Sequence, residues 1–208
     1  AQGKCKRLIV NMPPRHTKSE FASVFFPSWI MGLNPDMKIM QTTHTAELSA
    51  RFGRKVRNLM DTDEYKQIFD KVSLSADSKS AGRWETNKGG EYFAAGVGGA
   101  ITGRGADLLI IDDPHSEQDA LSPSALESAY EWYTSGPRQR LQPGGIIVIV
   151  MTRWSTLDLT EKLIKRMSED HADQWEILEL PAILEDNTPL WPGFWKIEEL
   201  ESVKASIP

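Results

Sequence analysis

Short apolar runs rich in β-branched residues recur along the chain at Leu8–Val10, Lys38–Gln41, Leu108–Ile111, Gly145–Val150 and Glu176–Leu180. The third and fourth show little period-2 alternation, the pattern of strands buried on both faces, and predict parallel pairing. Between the runs, apolar residues fall at helical spacing: Phe21, Val24 and Phe25; Leu48, Phe52, Val56 and Leu59; Leu126, Ala129, Tyr130 and Tyr133; Leu159, Leu163 and Met167. Strands alternating with helices predict an α/β domain with a mainly parallel central sheet. Ser122 before Pro123, and Gly136-Pro137 at the far end, bound the third helix. Pro27 should kink or end the first, with Asn34-Pro35 as its clearer stop.

Residues 71–105 lose helical period and gain Gly89-Gly90, Gly98-Gly99, Gly103 and Gly105. This predicts a β-hairpin insertion at a sheet edge, with Asn87-Lys88-Gly89-Gly90 as the turn. After Pro181 the pattern weakens through Pro189, Trp191-Pro192-Gly193 and Trp195 to a short polar helix, Ile197 to Ala205. The expected division is a core over 1–180 and a small peripheral subdomain or linker over 181–208. A length of 208 residues with 40% hydrophobic content suits a single globular domain. No apolar run approaches the roughly 20 residues that cross a bilayer. Ala1–Arg7 does not resemble a signal peptide. The single cysteine, Cys5, excludes an internal disulfide and fits a reducing cytoplasm. His16, His44, His115 and His171 show no zinc spacing.

Net charge is −5, yet residues 1–60 carry 10 Lys/Arg against 3 Asp/Glu, whereas the remainder carries 14 against 26. The basic end is the one suited to phosphates. Alternatively, Arg51, Arg54, Lys55 and Arg57 are the wet face of a helix. The overall acidity argues against this domain being the principal clamp on a nucleic acid.

Three strand ends carry candidate chemistry. After the first comes Met12-Pro13-Pro14-Arg15-His16-Thr17-Lys18-Ser19, then a helical segment, which is the position of a phosphate-binding loop. Such a loop needs a backbone cradle at a helix N-terminus, a Lys for the β- and γ-phosphates and a hydroxyl for Mg²⁺; Lys18 and Ser19 supply the last two. Both glycines of G-x-x-x-x-G-K-[ST] are replaced, by Met12 and Thr17, so an exposed lysine in a plain loop is the competing reading. The third long strand runs into Asp112-Asp113-Pro114. A buried strand ending in paired acids delivers one carboxylate to Mg²⁺ and the other towards the γ-phosphate and water. The bland alternative is a turn before Pro114. Thr152-Arg153 end another strand, either to sense a γ-phosphate or to begin a helix capped by Ser155 or Thr156. Thr42-Thr43-His44-Thr45 end the second, through contacts to a nucleic-acid backbone or through capping, the role that suits Thr45. Lysine loop and paired acids together predict nucleotide hydrolysis.

At this level the chain resembles the large terminase subunits of tailed bacteriophages, the ATPases of the DNA-packaging motor. The resemblance lies in LIVNMPPRHTKSE, QTTHTAELSARFGRKVRN, GRGADLLIIDDPH, IVIVMTRW and the WPGFW stretch, and spans most of the chain. It implies a RecA-like P-loop NTPase core, separate from the RNase H-like nuclease domain of that family; no nuclease activity is expected here. It implies ATP and Mg²⁺ as cofactors, with Pro14, Arg15, His16, Thr17, Lys18, Ser19 and Thr152 at the nucleotide and Ser19 and Asp112 at the metal. Asp113 then takes the place of the catalytic acid. Many relatives have Glu there, and the shorter Asp leaves Glu117 as a weaker substitute. Arg15 matches an arginine of the P-loop that senses the γ-phosphate, and Arg104 a finger offered to a neighbouring subunit. Thr152-Arg153 fall at a motif coupling phosphate loss to subdomain motion. The implied partners are double-stranded DNA, a portal protein, a small terminase subunit and further copies of the chain in a ring, in the host cytoplasm and without a membrane. The rival functions are a helicase-type remodeller and a nucleotide-binding assembly module with little turnover.

Overall fold

The computed structural model describes residues 4–206; residues 1–3 and 207–208, the outer ends of the Ala1–Arg7 and 181–208 stretches, lie outside the described residues. Eight strands form one sheet in the order β3-β4-β5-β2-β6-β7-β1-β8. They are β1 (Arg7–Asn11), β2 (Lys38–Thr43), β3 (Leu74–Lys79), β4 (Arg83–Thr86), β5 (Glu91–Gly96), β6 (Ala106–Asp112), β7 (Leu141–Met151) and β8 (Glu176–Glu179). All neighbours pair in parallel except β3 with β4 and β4 with β5.

The helices are α1 (Lys18–Glu20), α2 (Phe26–Leu33), α3 (Ala46–Met60), α4 (Asp63–Ile68), α5 (Pro123–Ser135), α6 (Leu159–Arg166) and α7 (Ile197–Ala205), with a π-helical turn, Phe21–Phe25, joining α1 to α2. Strand β6 explains the missing alternation. Leu108 and Ile110 enter a core with Ile30 and Met31 of α2 and Val56 and Met60 of α3; Leu109 and Ile111 enter a second core with Tyr133 of α5 and Leu159 and Leu163 of α6. Helices cover both faces, so every position from Leu108 to Ile111 is apolar, up to Asp112.

Pro27 does not end the first helix. It lies in the first turn of α2, directly after the π-helical turn in which the Phe26 N–H reaches back to the Phe21 carbonyl. A proline cannot donate to the carbonyl four residues back, and the widened turn accommodates that missing bond. Ser122 caps α5 by accepting from the Ala125 N–H, and Thr45 caps α3 from Leu48.

The hairpins sit outboard of β2. Their Asn87–Gly90 turn has Gly89 at φ 83°, a left-handed conformation that suits glycine. Trp84 and Tyr92, fully buried, stack with centroids 4.9 Å apart and fasten the insertion to α3, where the Trp84 indole donates to the Gly53 carbonyl. The segment after Pro181 carries an Ile183–Pro189 bridge and then α7, whose Leu200 is buried. No helix among the described residues is long and apolar enough to cross a membrane.

Candidate active site

Parallel strands β1, β2, β6 and β7 bring their carboxyl ends to one edge of the sheet, the edge where α/β folds receive ligands. Strand β7 lies between β1 and β6. A side chain from the loop after β1 therefore spans two strand spacings, about 10 Å, to reach the end of β6. Lys18 does so.

Its Nζ lies 2.7 Å from Oδ2 of Asp113, and the lysine side chain is only 8% exposed. Asp113 joins the surrounding strand ends. Its other oxygen accepts from the Thr152 N–H after β7 (2.9 Å), its carbonyl accepts from the His44 N–H after β2 (3.2 Å), and its own N–H donates to Val150 (2.8 Å). It holds a left-handed φ of 41°, which turns the chain sharply out of β6.

Asp112 points into the protein. It is 1% exposed; Oδ1 accepts from the Ser19 hydroxyl at 3.0 Å and Oδ2 from the Ser23 hydroxyl at 2.6 Å. Burial pushes its carboxyl up to about 6; the two serines and Lys18 act against that rise, and neighbouring Asp113 adds to it.

In the loop itself, Arg15 and Thr17 are left-handed at φ 58° and 66°. Thr17 stands where the second glycine of a phosphate loop would, and it keeps the glycine-like conformation with a β-branched side chain. A left-handed residue followed by helical Lys18 is the backbone pattern of an anion-binding concavity. His16 is buried, its ring 6.0 Å from that of Trp195 and nearly parallel to it. The WPGFW stretch thus packs against the loop, and a cleft of about 570 Å³ lies between Pro13–His16 and Ala182, Ile183, Trp195 and Lys204.

Several expected residues lie elsewhere or do other work. Arg104 precedes β6 and pairs with Glu91 at the start of β5, its guanidinium 4.1 Å from the centre of the Phe93 ring. Both strand starts are at the amino edge of the sheet, so within one chain Arg104 lies a full strand length from Lys18. Glu117 is exposed in the loop after β6. Thr42 and Thr43 are fully buried, and their hydroxyls bond to Ile110 and Thr45 carbonyls, which removes them from any surface for nucleic acid.

Neither Ser155 nor Thr156 caps α6. Asp158 does, accepting from the Glu161 N–H, because Arg153 binds Asp158 at 2.9 Å and Glu161 at 2.8 Å and draws the chain end inward. His115 braces the same helix start: its Nε2 accepts the Leu159 N–H, and burial pushes its pKa down, keeping the ring neutral. On α3, Arg51 and Arg54 are exposed and Lys55 pairs with Glu20 at 2.6 Å. The sequence pattern did not single out Ser23 or Gln41, which belong to the network around Asp112. A serine four residues after Ser19, ahead of a helical proline, was the available signal.

No protein-family model and no curated protein matches the chain. Among solved structures, the large terminase ATPase domain of Thermus phage P74-26 matches at a TM-score of 0.58 and 15% identity, over 100% of this chain and 85% of that one. The large terminase of a second thermophilic bacteriophage, in complex with ATP-γ-S, matches at 0.51 and 13% identity over 98% of this chain and 45% of that one. Its complex with ADP matches at 0.50 and 12%. The chain therefore spans less than half the length of that second terminase. The likeness shows the fold: a RecA-like α/β core with a mostly parallel sheet.

Proposed function

We propose that this domain binds and hydrolyses Mg-ATP as the motor of a viral DNA-packaging terminase. The observation that carries the reading is the pairing of Lys18 with Asp113 and of Ser19 with Asp112 across an intervening strand. Paired acids at a strand end are common turn formers; acids that meet a loop lysine and its neighbouring serine across the sheet have a reason to be held together.

The residues fit the proposed ligands. Ser19 and Asp112 offer hard oxygen donors, as Mg²⁺ requires, and Asp112 is a buried carboxylate whose charge a cation would stabilise. When bound, Mg²⁺ supplies charge neutralisation at the β- and γ-phosphates. Lys18 exchanges Asp113 for phosphate oxygens, and the backbone at Arg15–Lys18 receives them. Asp113, released from Lys18 but still tethered by the Thr152 N–H, orients water and accepts its proton. Thr152 also donates to the Met12 carbonyl at 3.4 Å, so loop, acid and β7 end form one hydrogen-bonded unit. Arg153, tied to α6, transmits movement of that unit rather than touching phosphate.

Arg104 serves a neighbouring subunit in a ring, since its place at the opposite edge keeps it from its own chain's phosphate. The ring acts on double-stranded DNA with a portal protein and a small terminase subunit, in the host cytoplasm. Lys18→Ala tests the site. Mg-ATP affinity should fall at least 10-fold in a variant with unchanged circular dichroism; unchanged affinity and turnover would overturn the assignment.

A further inference from the structure

We infer that Ser23, carried on the π-helical turn and held in place by Gln41, is a positioning residue that presents Asp112 to the cation of Mg-ATP. The inference rests on the reading of the site given above. Asp112 has two distinct edges. Oδ1 meets Ser19, which directly follows Lys18 and is partly exposed; Oδ2 meets Ser23, which is fully buried. Oδ1 is thus the edge towards the phosphate loop and Oδ2 the edge towards the core. The terminal torsion of an aspartate is broad, so a single anchor leaves the carboxylate free to turn. Ser23 supplies the second anchor.

The direction of each hydrogen bond follows from the chemistry. Ser23 has one hydroxyl hydrogen and gives it to Asp112 at 2.6 Å, so towards Gln41 it must accept. Gln41 presents its Nε2 at 3.1 Å. The chain therefore runs Gln41 to Ser23 to Asp112, each bond polarising the next. Gln41 is itself fully buried in β2, in register with Ile110 of β6, and Asp112 lies two residues further along that strand on the same face. The opposite wall is the helix. Ser23 reaches Asp112 from the π-helical turn before Pro27, the same turn that leaves Phe21 and Phe25 at the surface. Ser19 and Ser23 stand four residues apart on one helical face, so both are directed at the same carboxylate.

Ser23→Ala, Gln41→Leu and the double variant test this, with ATP binding measured by calorimetry in Mg²⁺ and again in EDTA. Loss of a group that orients a metal ligand costs about 10- to 100-fold in metal-dependent affinity. Ser23→Ala should therefore weaken binding by about 10-fold in Mg²⁺ and less than about 2-fold in EDTA. Equal loss in both media, or no loss in Mg²⁺, would overturn the positioning role. Gln41→Leu should give a smaller loss of the same kind, and the double variant should be no worse than Ser23→Ala, because Gln41 acts through Ser23. Additive losses would overturn the relay. If the wild-type chain binds no ATP in either medium, the Mg-ATP reading fails on its own. Unfolding of the same four nucleotide-free proteins then decides the anchoring: a non-additive cycle supports it and an additive cycle overturns it.

Discussion

Asp112→Asn should make the nucleotide-free domain more stable at neutral pH while disabling its site. The carboxyl is raised from 3.8 to about 6 by burial. A raised acid pKa means that, between those two values, the folded state holds a proton that the unfolded state has lost. Stability therefore falls as pH rises from about 4 to 6, and the full penalty is present above 6. At 1.36 kcal/mol per unit the penalty has a ceiling of about 3 kcal/mol. Asparagine is shaped like the protonated acid and keeps hydrogen-bonding groups for Ser19 and Ser23, but it carries no charge to desolvate. The assay is urea unfolding of both proteins in EDTA at pH 4, 5, 6, 7 and 8. The account expects the curves to coincide near pH 4 and to separate to about 1–3 kcal/mol in favour of the variant by pH 7. Titrations of groups remote from Asp112 are common to both proteins and cancel in the difference. A variant less stable than wild type at pH 7, or a difference independent of pH, would refute the reasoning.

Thr17→Gly should stabilise the domain slightly. A left-handed L-residue costs roughly 1–2 kcal/mol and glycine's extra unfolded-state freedom takes back about 0.5–1, leaving a gain of up to about 1.5 kcal/mol in thermal unfolding; a loss would show that the Thr17 side chain is needed. Arg104→Ala removes a partly exposed pairing with Glu91 at the sheet's far edge, so stability should change by no more than about 1 kcal/mol. In assembled protein its turnover should nevertheless fall, and mixed assemblies with wild type should be impaired; an equal effect on a dilute monomer would place Arg104 in its own chain's site instead.

What the sequence made readable follows from the forces involved. Strands β6 and β7 announce themselves through the runs Leu108–Ile111 and Ile146–Met151, unbroken because burial on both faces demands apolar residues, and the acids after Ile111 are conspicuous because they interrupt such a run. The missing glycines obscured the lysine loop, because Thr17 adopts the left-handed conformation without glycine's signature and only Lys18-Ser19 after a strand pointed to it. Helix α4, only six residues long, was not legible. It depends on the Thr62 cap and on the Tyr65 hydroxyl bonding to the Ser28 carbonyl, a tertiary contact with no local pattern. Strand β7 begins at Leu141, before Pro143-Gly144-Gly145, residues whose local preference is for a turn. Ser23 is a lone polar residue inside an apolar segment and Gln41 begins a polar strand end, and only the packing of helix against sheet shows that they meet. The Asp158 cap was hidden for a similar reason, since Arg153 selects it over two nearer hydroxyls.

Phosphate release from Mg-ATP, measured against protein concentration for wild type and Asp113→Asn side by side, tests the central claim most directly. The account predicts turnover per chain that rises with concentration in the wild type, as neighbouring chains supply Arg104, and that is lost in the variant. Turnover that persists in Asp113→Asn would contradict the assignment of the acid. Tight ATP binding by wild type without phosphate release, even in an assembled ring, would contradict the motor reading and favour a nucleotide-binding assembly module.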